Sequence, residues 1–472
     1  MQTLKKTQPG GSSTSTSSTQ KTTNQITEGV IWEQLLLFFF PILMGTFFQQ
    51  LYNTADAMIV GRFVGKEALS AVSGSAGMLT QMIVGFFVGL SAGCGVIISQ
   101  YYGAKRPEMV GYAVHTSVAF SLLSGAFIMI IGIILAPRML GAMSTPEDIM
   151  DLSILYLRIY FLGMIPNLLY NTGSSILRAV GDSRRPLYFL IVSCMTNIVL
   201  DLLFVVILRL GVRGAGIATV CSQILSALLV LSCLCRSSDM YRVHLTQIGI
   251  DTRMLRRMIR IGLPAGLQSV MYGLSNVIIQ AGINSLGTNT VASWAAYGKI
   301  DSIFWMIINS FGIAITTFVG QNYGADKHER IHRGVRVCMG MTIISSIMIS
   351  ALVYFLGIYA YALFTTDQEV IEIGIRMMRY LSPFYTTYVA IEILSGALRG
   401  VGDSFIPMVL CAFGVCVLRV FWIIAIVPIH RNMYTIMFSY PLTWVCTTIL
   451  FLIYYLVFSP LGRREKQRAH VS

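Results

Sequence analysis

SQYYGAKRPE at residues 99–108 returns as GQNYGADKHE at residues 320–329, and SILRAVGDSRRP at residues 175–186 returns as GALRGVGDSFIP at residues 396–407. Both pairs are separated by 221 residues, and Pro41 pairs with Pro264 at a separation of 223. Two distant matches at one offset identify an internal duplication. Around these landmarks twelve apolar runs are read, at roughly 34–61, 67–101, 110–136, 149–178, 186–209, 212–235, 255–287, 290–323, 331–364, 370–399, 406–429 and 432–459. Six runs per half is an even number, so the halves share one orientation, which is a parallel repeat about an axis along the membrane normal.

Composition excludes the soluble alternatives. The chain has 472 residues, 55% hydrophobic and 12% charged, against about 25% charged in soluble domains. A backbone in lipid must satisfy its own hydrogen bonds, and runs this long and evenly apolar suit helices rather than alternating barrel strands. The expected fold is an all-α integral membrane protein of twelve transmembrane helices in two pseudo-symmetric six-helix bundles. The expected divisions are a Ser/Thr-rich disordered tail at 1–28, a first lobe at 29–235, a linker at 236–254, a second lobe at 255–459 and a basic tail at 460–472.

The net charge of +13 follows from loops rather than from a nucleic-acid surface. Of 34 Lys and Arg residues, 23 fall in one set of loops and in the chain ends, and six (Arg62, Lys66, Arg138, Arg209, Arg213, Arg431) in the opposite set. The rich side is the expected cytoplasmic side, with both termini inside a bacterial-type inner membrane. The nine cysteines contain no CxxC pair and read as small apolar residues, with neither disulfide framework nor metal site expected.

Ionisable residues within spans are costly and mark function by default. Asp56 falls near the outer end of span 1, Asp201 in span 5 and Thr219 in span 6, all within roughly 12 Å of the outer surface at 1.5 Å per residue. Asn197 lies one helical turn before Asp201, on the same face. Carboxylates in hydrocarbon are costly to keep charged, and two in one pocket repel, so such a pair suits a proton or cation. The second lobe offers Glu392, Asp301 and Arg419, with an ion pair between Glu392 and Arg419 as one structural use. Gln49, Tyr52, Gln268, Tyr272 and Asn276 are candidates for lining a cleft between lobes, and Pro41 is a candidate hinge because it removes a helical hydrogen bond. The 25 methionines suit an adaptable apolar cleft. His328, Glu329 and His332 spell HExxH, the zinc-protease pattern; the repeat mate at residues 107–111 lacks both histidines, and a solvated helix start is the favoured reading.

These landmarks resemble the multidrug and toxic compound extrusion (MATE) transporters over nearly the whole chain after the tail. The resemblance rests on the two six-helix halves, QYYGA and QNYGA after spans 2 and 8, LRAVGDS and LRGVGDS after spans 4 and 10, and LYNTADAMIVGR closing span 1. It implies a V-shaped pair of bundles exporting cationic or amphipathic organic compounds against inward H+ or Na+. No enzyme activity, cofactor or nucleic-acid partner is implied, and a monomer in the bilayer is expected. The DinF-like branch is the nearer one. Its first-lobe acids match Asp56 and Asp201, its polar partners match Asn197 and Thr219, and its bending first helix matches the spacing from Pro41 to Asp56. The NorM-like branch has acids where Tyr272 and Tyr388 stand here. A flippase for lipid-linked sugars, built from similar bundles, is the alternative transporter, and a membrane metalloprotease using residues 328–332 is the alternative from another class.

Overall fold

A computed structural model describes residues 25–362, 365, 367–459 and 461. Twelve rods follow in chain order. In the first lobe these are α1 (Ile31–Phe63), α2 (Lys66–Gly103), α3 (Pro107–Ala142), α4 (Glu147–Leu162 and Met164–Ala179), α5 (Arg184–Ile207) and α6 (Val212–Arg236). The second lobe repeats the series as α7 (Thr252–Asn284), α8 (Thr288–Gly324), α9 (His328–Ala362), α10 (Gln368–Leu381 and Tyr385–Val401), α11 (Phe405–Ala425) and α12 (Met433–Phe458). Among the described residues nine of these helices are long and apolar enough to cross a membrane unaided, and α4 makes a tenth when its two bent pieces are joined. The other two are α7, whose first turns carry Arg253, Arg256, Arg257 and Arg260, and α10, which is interrupted.

The interruptions obey the duplication. α4 bends by 49° at Gly163, and α10 passes through a short 3₁₀ turn at Ser382–Phe384 containing Pro383. Residues 163 and 384 stand 221 apart. Glycine gives the first break its room, since a Cβ on Gly163 would sit 2.2 Å from Gln223 Oε1, and proline enforces the second. Pro41, by contrast, lies inside one continuous helix of 33 residues.

The lobes meet through α1 and α2 on one side and α7 and α8 on the other. Along α2 the small residues Gly85, Gly89 and Gly93 face Ser269, Gly266 and Gly262 of α7, so closely that a Cβ on Gly89 or Gly93 would lie 2.6 or 2.5 Å from the opposing amide nitrogen. Lipid supplies no hydrophobic force between helices, and such close backbone packing takes its place. The first half of α1 belongs physically to the second lobe: Leu35, Phe38, Phe39 and Ile42 are buried in one apolar cluster with Phe304, Phe311, Ile315 and Trp444.

The expected boundary of the disordered tail needs correction. Residues 1–24 and the second-lobe tail apart from Leu461 lie outside the described residues, but Gln25–Glu28 form a helical turn docked on the second lobe. Ile26 and Thr27 are buried. Arg330 donates to the Ile26 carbonyl from Nε (3.2 Å) and Nη2 (3.1 Å), Lys327 Nζ donates to the Thr27 carbonyl at 2.9 Å, and Arg330 also bonds the Gly29 carbonyl. The polar composition of the tail stops short of Ile26, whose apolar side chain anchors the turn. The linker runs under the first lobe: His115 accepts from the His244 amide at 3.0 Å and Thr116 from the Asp251 amide at 3.0 Å.

Candidate functional site

The first lobe holds its acids in a closed pocket rather than at a wet helix end. Asp56 is buried near the end of α1, and Asp201 and Asn197 of α5 are fully buried, as is Thr219 of α6. Helix α5 changes to a π-helical turn at Leu202–Ile207, immediately after Asp201; such turns locally re-aim side chains and recur at functional sites. Tyr52, one turn before Asp56, lies beside Thr219 and within electrostatic reach of Asp56, Asp201 and Tyr160. Tyr156 stands near the same acids, and Asp56 and Asp201 are near enough to act on each other.

What sets this pocket apart is hydrogen bonding left undone. Asp56 Oδ1, both oxygens of Asp201 and both amide atoms of Asn197 are buried without a hydrogen-bond partner, while Thr219 stands beside Tyr52 and Gln223 beside Tyr160. Native interiors keep such atoms rare, and each needs a reason. No ion pair reaches either carboxylate among the described residues. Two acids beside the unpartnered Asn197 amide and the Thr219 hydroxyl, walled by Tyr52, Tyr156 and Tyr160, have the ligand set to take up a proton or a small cation.

Asp56, Asp201, Asn197 and Thr219 all lie buried in the first lobe. Sequence reasoning assigned Tyr52 to a substrate cleft, whereas the ring turns into the acid pocket. It missed Tyr156, Tyr160 and Gln223. The spacing of Tyr156 and Tyr160, four residues apart in an apolar run, was the available signal.

The second-lobe candidates do not assemble into a matching site. Asp301 is held by three donors, Tyr385 Oη at 2.5 Å, Trp305 Nε1 at 2.6 Å and Tyr297 Oη at 3.3 Å. Glu392 and Arg419 form no ion pair. Arg419 is buried with its guanidinium 4.2 Å from the Tyr440 ring centroid and Nη2 donating to Thr443 at 3.0 Å, while Glu392 packs over Gly312 of α8. The arginine turns to Tyr440 and Thr443 of α12 instead, with its Nε left unpartnered. Gln268 donates to Cys411 Sγ at 3.1 Å and the Tyr272 and Tyr388 hydroxyls lie 3.4 Å apart, so both face their own lobe; Gln49 and Asn276 are exposed.

The HExxH residues part company. His328 bonds Asp326 at 2.8 Å, Glu329 pairs with Arg333 at 2.6 Å, and His332 lies 3.5 Å from the Tyr455 hydroxyl. The glutamate is engaged by an arginine, and the two imidazoles lie on different partners.

The repeated turns, read from sequence as fold markers only, meet across the lobe boundary. Gln100 Nε2 donates to the Gly400 carbonyl at 2.9 Å, and Gln321 Nε2 donates to the Ala179 carbonyl at 2.7 Å. Donors and acceptors alike are 221 residues apart, so the two bonds are mates of one duplicated contact.

Comparison with known proteins agrees with this architecture. The MatE family profile matches residues 41–203 and 264–424, one copy per lobe. The probable multidrug resistance protein YoeA of Bacillus subtilis (strain 168) is 30% identical over 394 residues, covering 82% of this chain and 84% of that protein. Among solved structures, a MATE in the bent conformation superimposes with a TM-score of 0.86 at 22% identity, covering 94% of this chain and 99% of that one, and a MATE in the straight conformation with 0.85 at 23%, covering 95% and 99%. Duplicated profile, relative and fold converge, and the chain belongs to the MatE family of transporters.

Proposed function

We propose that the protein is a secondary active antiporter that exports cationic or amphipathic organic compounds in exchange for H+, or Na+, by alternating access. The observation that carries the reading is the first-lobe pocket, where Asp56 and Asp201 lie buried without counter-charge beside the unpartnered Asn197 amide and Thr219. An intramembrane acid without a basic partner is costly unless it is used. Loading one cation from outside relieves the repulsion between the two acids, and the ion leaves when the cavity faces the cytoplasm. The placement of both acids in the first lobe favours the DinF-like scheme, with Tyr272 and Tyr388 on the second lobe engaged with each other. The multidrug role of YoeA supports a broad organic substrate range. The basic-loop side is the cytoplasmic one in this reading, with the protein in the cytoplasmic membrane.

A ligand shifts a two-state protein only through its differential affinity for the states. Proton and drug must therefore favour opposite states. Pro41 is the proposed flexing point of α1, since the helix there lacks one backbone donor and carries Tyr52 and Asp56 beyond it.

Dye efflux from proteoliposomes under an imposed pH or Na+ gradient tests the reading. Wild-type protein is expected to move dye only with a gradient, and Asp201→Asn is expected to insert normally and lose gradient-driven efflux. Normal efflux by Asp201→Asn removes the coupling role of the pocket.

A further inference from the structure

The duplicated Gln–carbonyl contact has the construction of a latch rather than of a permanent weld. Helices α4 and α10 end in equivalent turns. In the first, the amides of Gly181 and Asp182 return to the carbonyls of Arg178 and Leu177 at 3.0 and 2.9 Å; in the second, Gly402 and Asp403 return to Arg399 and Leu398 at 2.9 and 3.0 Å. Gly181 and Gly402 take φ of 102° and 95°, the left-handed conformation that glycine adopts freely at a helix end. Each turn leaves over one last-turn carbonyl, that of Ala179 or Gly400, and a helix end must find partners for such groups. The partner in each case is the glutamine of the opposite lobe. Each lobe thus caps the other.

The approach around these bonds is equally reciprocal. A Cβ on Gly103 would lie 2.0 Å from the Gln321 carbonyl oxygen, and one on Gly324 would lie 1.8 Å from that of Gln100. A Cβ on Gly320 would lie 2.1 Å from Ser99 Oγ. Gln100, Gln321, Ser99 and Asn322 are all buried. The contact is tight, dry and nearly two-fold symmetric, at the end of the molecule that carries the basic loops.

Its chemistry is matched to reopening. Were this seal apolar, separating the lobes would expose hydrocarbon to water. Here the groups uncovered include two amides and two carbonyls, which water satisfies. The closed form is also short of full satisfaction, because Gln321 Oε1 is buried without a partner, and an unmet buried acceptor is relieved by hydration.

We propose that Gln100 and Gln321 are the gating residues of the transport cycle, their paired caps on Gly400 and Ala179 holding the basic end shut while the opposite end is open. This inference rests on the alternating-access reading and adds to it the identity of the inner gate. Neither glutamine touches substrate or coupling ion; both act by setting the balance of the two states.

Hydrogen exchange measured by mass spectrometry on purified Gln100→Met and Gln321→Met tests it. Methionine keeps the length of the side chain and cannot donate to a carbonyl. Losing one net hydrogen bond shifts the closed-to-open ratio about fivefold in either variant. The expected pattern is opposite at the two ends: faster exchange in the turns at 99–106 and 320–327, slower exchange in the turns at 63–67 and 285–288. The Km for dye should fall at the basic face and rise at the other. Unchanged exchange overturns the proposal, and so does faster exchange at both ends, which is simple loosening. By symmetry either variant alone decides the matter should the other fail to insert. Wild-type protein that moves no dye under any gradient overturns the antiport reading, and the gate with it; wild-type transport with a symmetric exchange response overturns the gate alone.

Discussion

Phe39 lies flat against Phe311, with ring centroids 4.0 Å apart and planes inclined by 19°. The first residue belongs to the first profile copy's leading helix and the second to α8, so a helix that sequence assigns to one lobe is packed for half its length into the other. The second half of the same helix carries Asp56 into the first-lobe pocket. Helix α1 thus spans both the acid pocket of the first lobe and the apolar core of the second.

Phe39→Ala is expected to loosen that connection. The stacked pair contributes about 1 kcal/mol beyond the area it covers, and in lipid such packing, not the hydrophobic effect, holds helices together. Thermal unfolding in detergent should show a lower midpoint for Phe39→Ala, with little change for Ile134→Ala, whose side chain is 66% exposed. Equal midpoints for the two variants contradict the role given to the stack.

Replacing the Asp201 carboxyl by an amide is expected to stabilise the protein while ending gradient-driven efflux. Both carboxyl oxygens lack partners, and a buried polar group left without partners is costly. Asp201→Asn should raise stability by about 1 kcal/mol as gradient-driven efflux is lost. A variant that is less stable than wild type shows the aspartate to be a structural element instead.

At Gly89 the α2–α7 crossing leaves no room for a Cβ. Gly89→Ala would set a Cβ 2.6 Å from the Gly266 amide nitrogen and is expected to cost about 1–3 kcal/mol by overpacking. Gly111→Ala on α3 meets nothing within 4 Å and gains helix propensity, so it should be neutral or mildly stabilising. Melting curves of the pair discriminate; tolerance at Gly89 shows that the lobes are free to separate there.

Arg330 ties the N-terminal turn to the second lobe through charged hydrogen bonds to Ile26 and Gly29. Bonds of this kind are worth about 1.5–3 kcal/mol. Arg330→Ala should release residues 25–30 to rapid hydrogen exchange while leaving α3 and α6 protected. Protection of residues 25–30 that survives the substitution assigns the docking to Ile26 burial alone.

Much of this protein was legible in one dimension because lipid leaves the backbone few options. Apolar runs of span length must be helices, an even number of them per repeat aligns the halves, and charged residues inside them stand out against hydrocarbon. That logic reached the twelve rods and the two lobes, and it singled out Asp56, Asp201, Asn197 and Thr219 as candidates. It failed where a residue's partner lies on another element. Tyr52 was equally suited to a cleft or to the acid pocket until the packing of α1 against α5 turned it inward. Glu392 and Arg419 had the right charges to pair, but Tyr440 and Thr443 were closer to the arginine. Gln100 and Gln321 were visible as a repeat, but a motif repeated at one offset says nothing of whether its copies touch. Spacing along a helix reports which side chains share a face; which face meets which is decided by helix crossings, and those arise only when all twelve helices pack together.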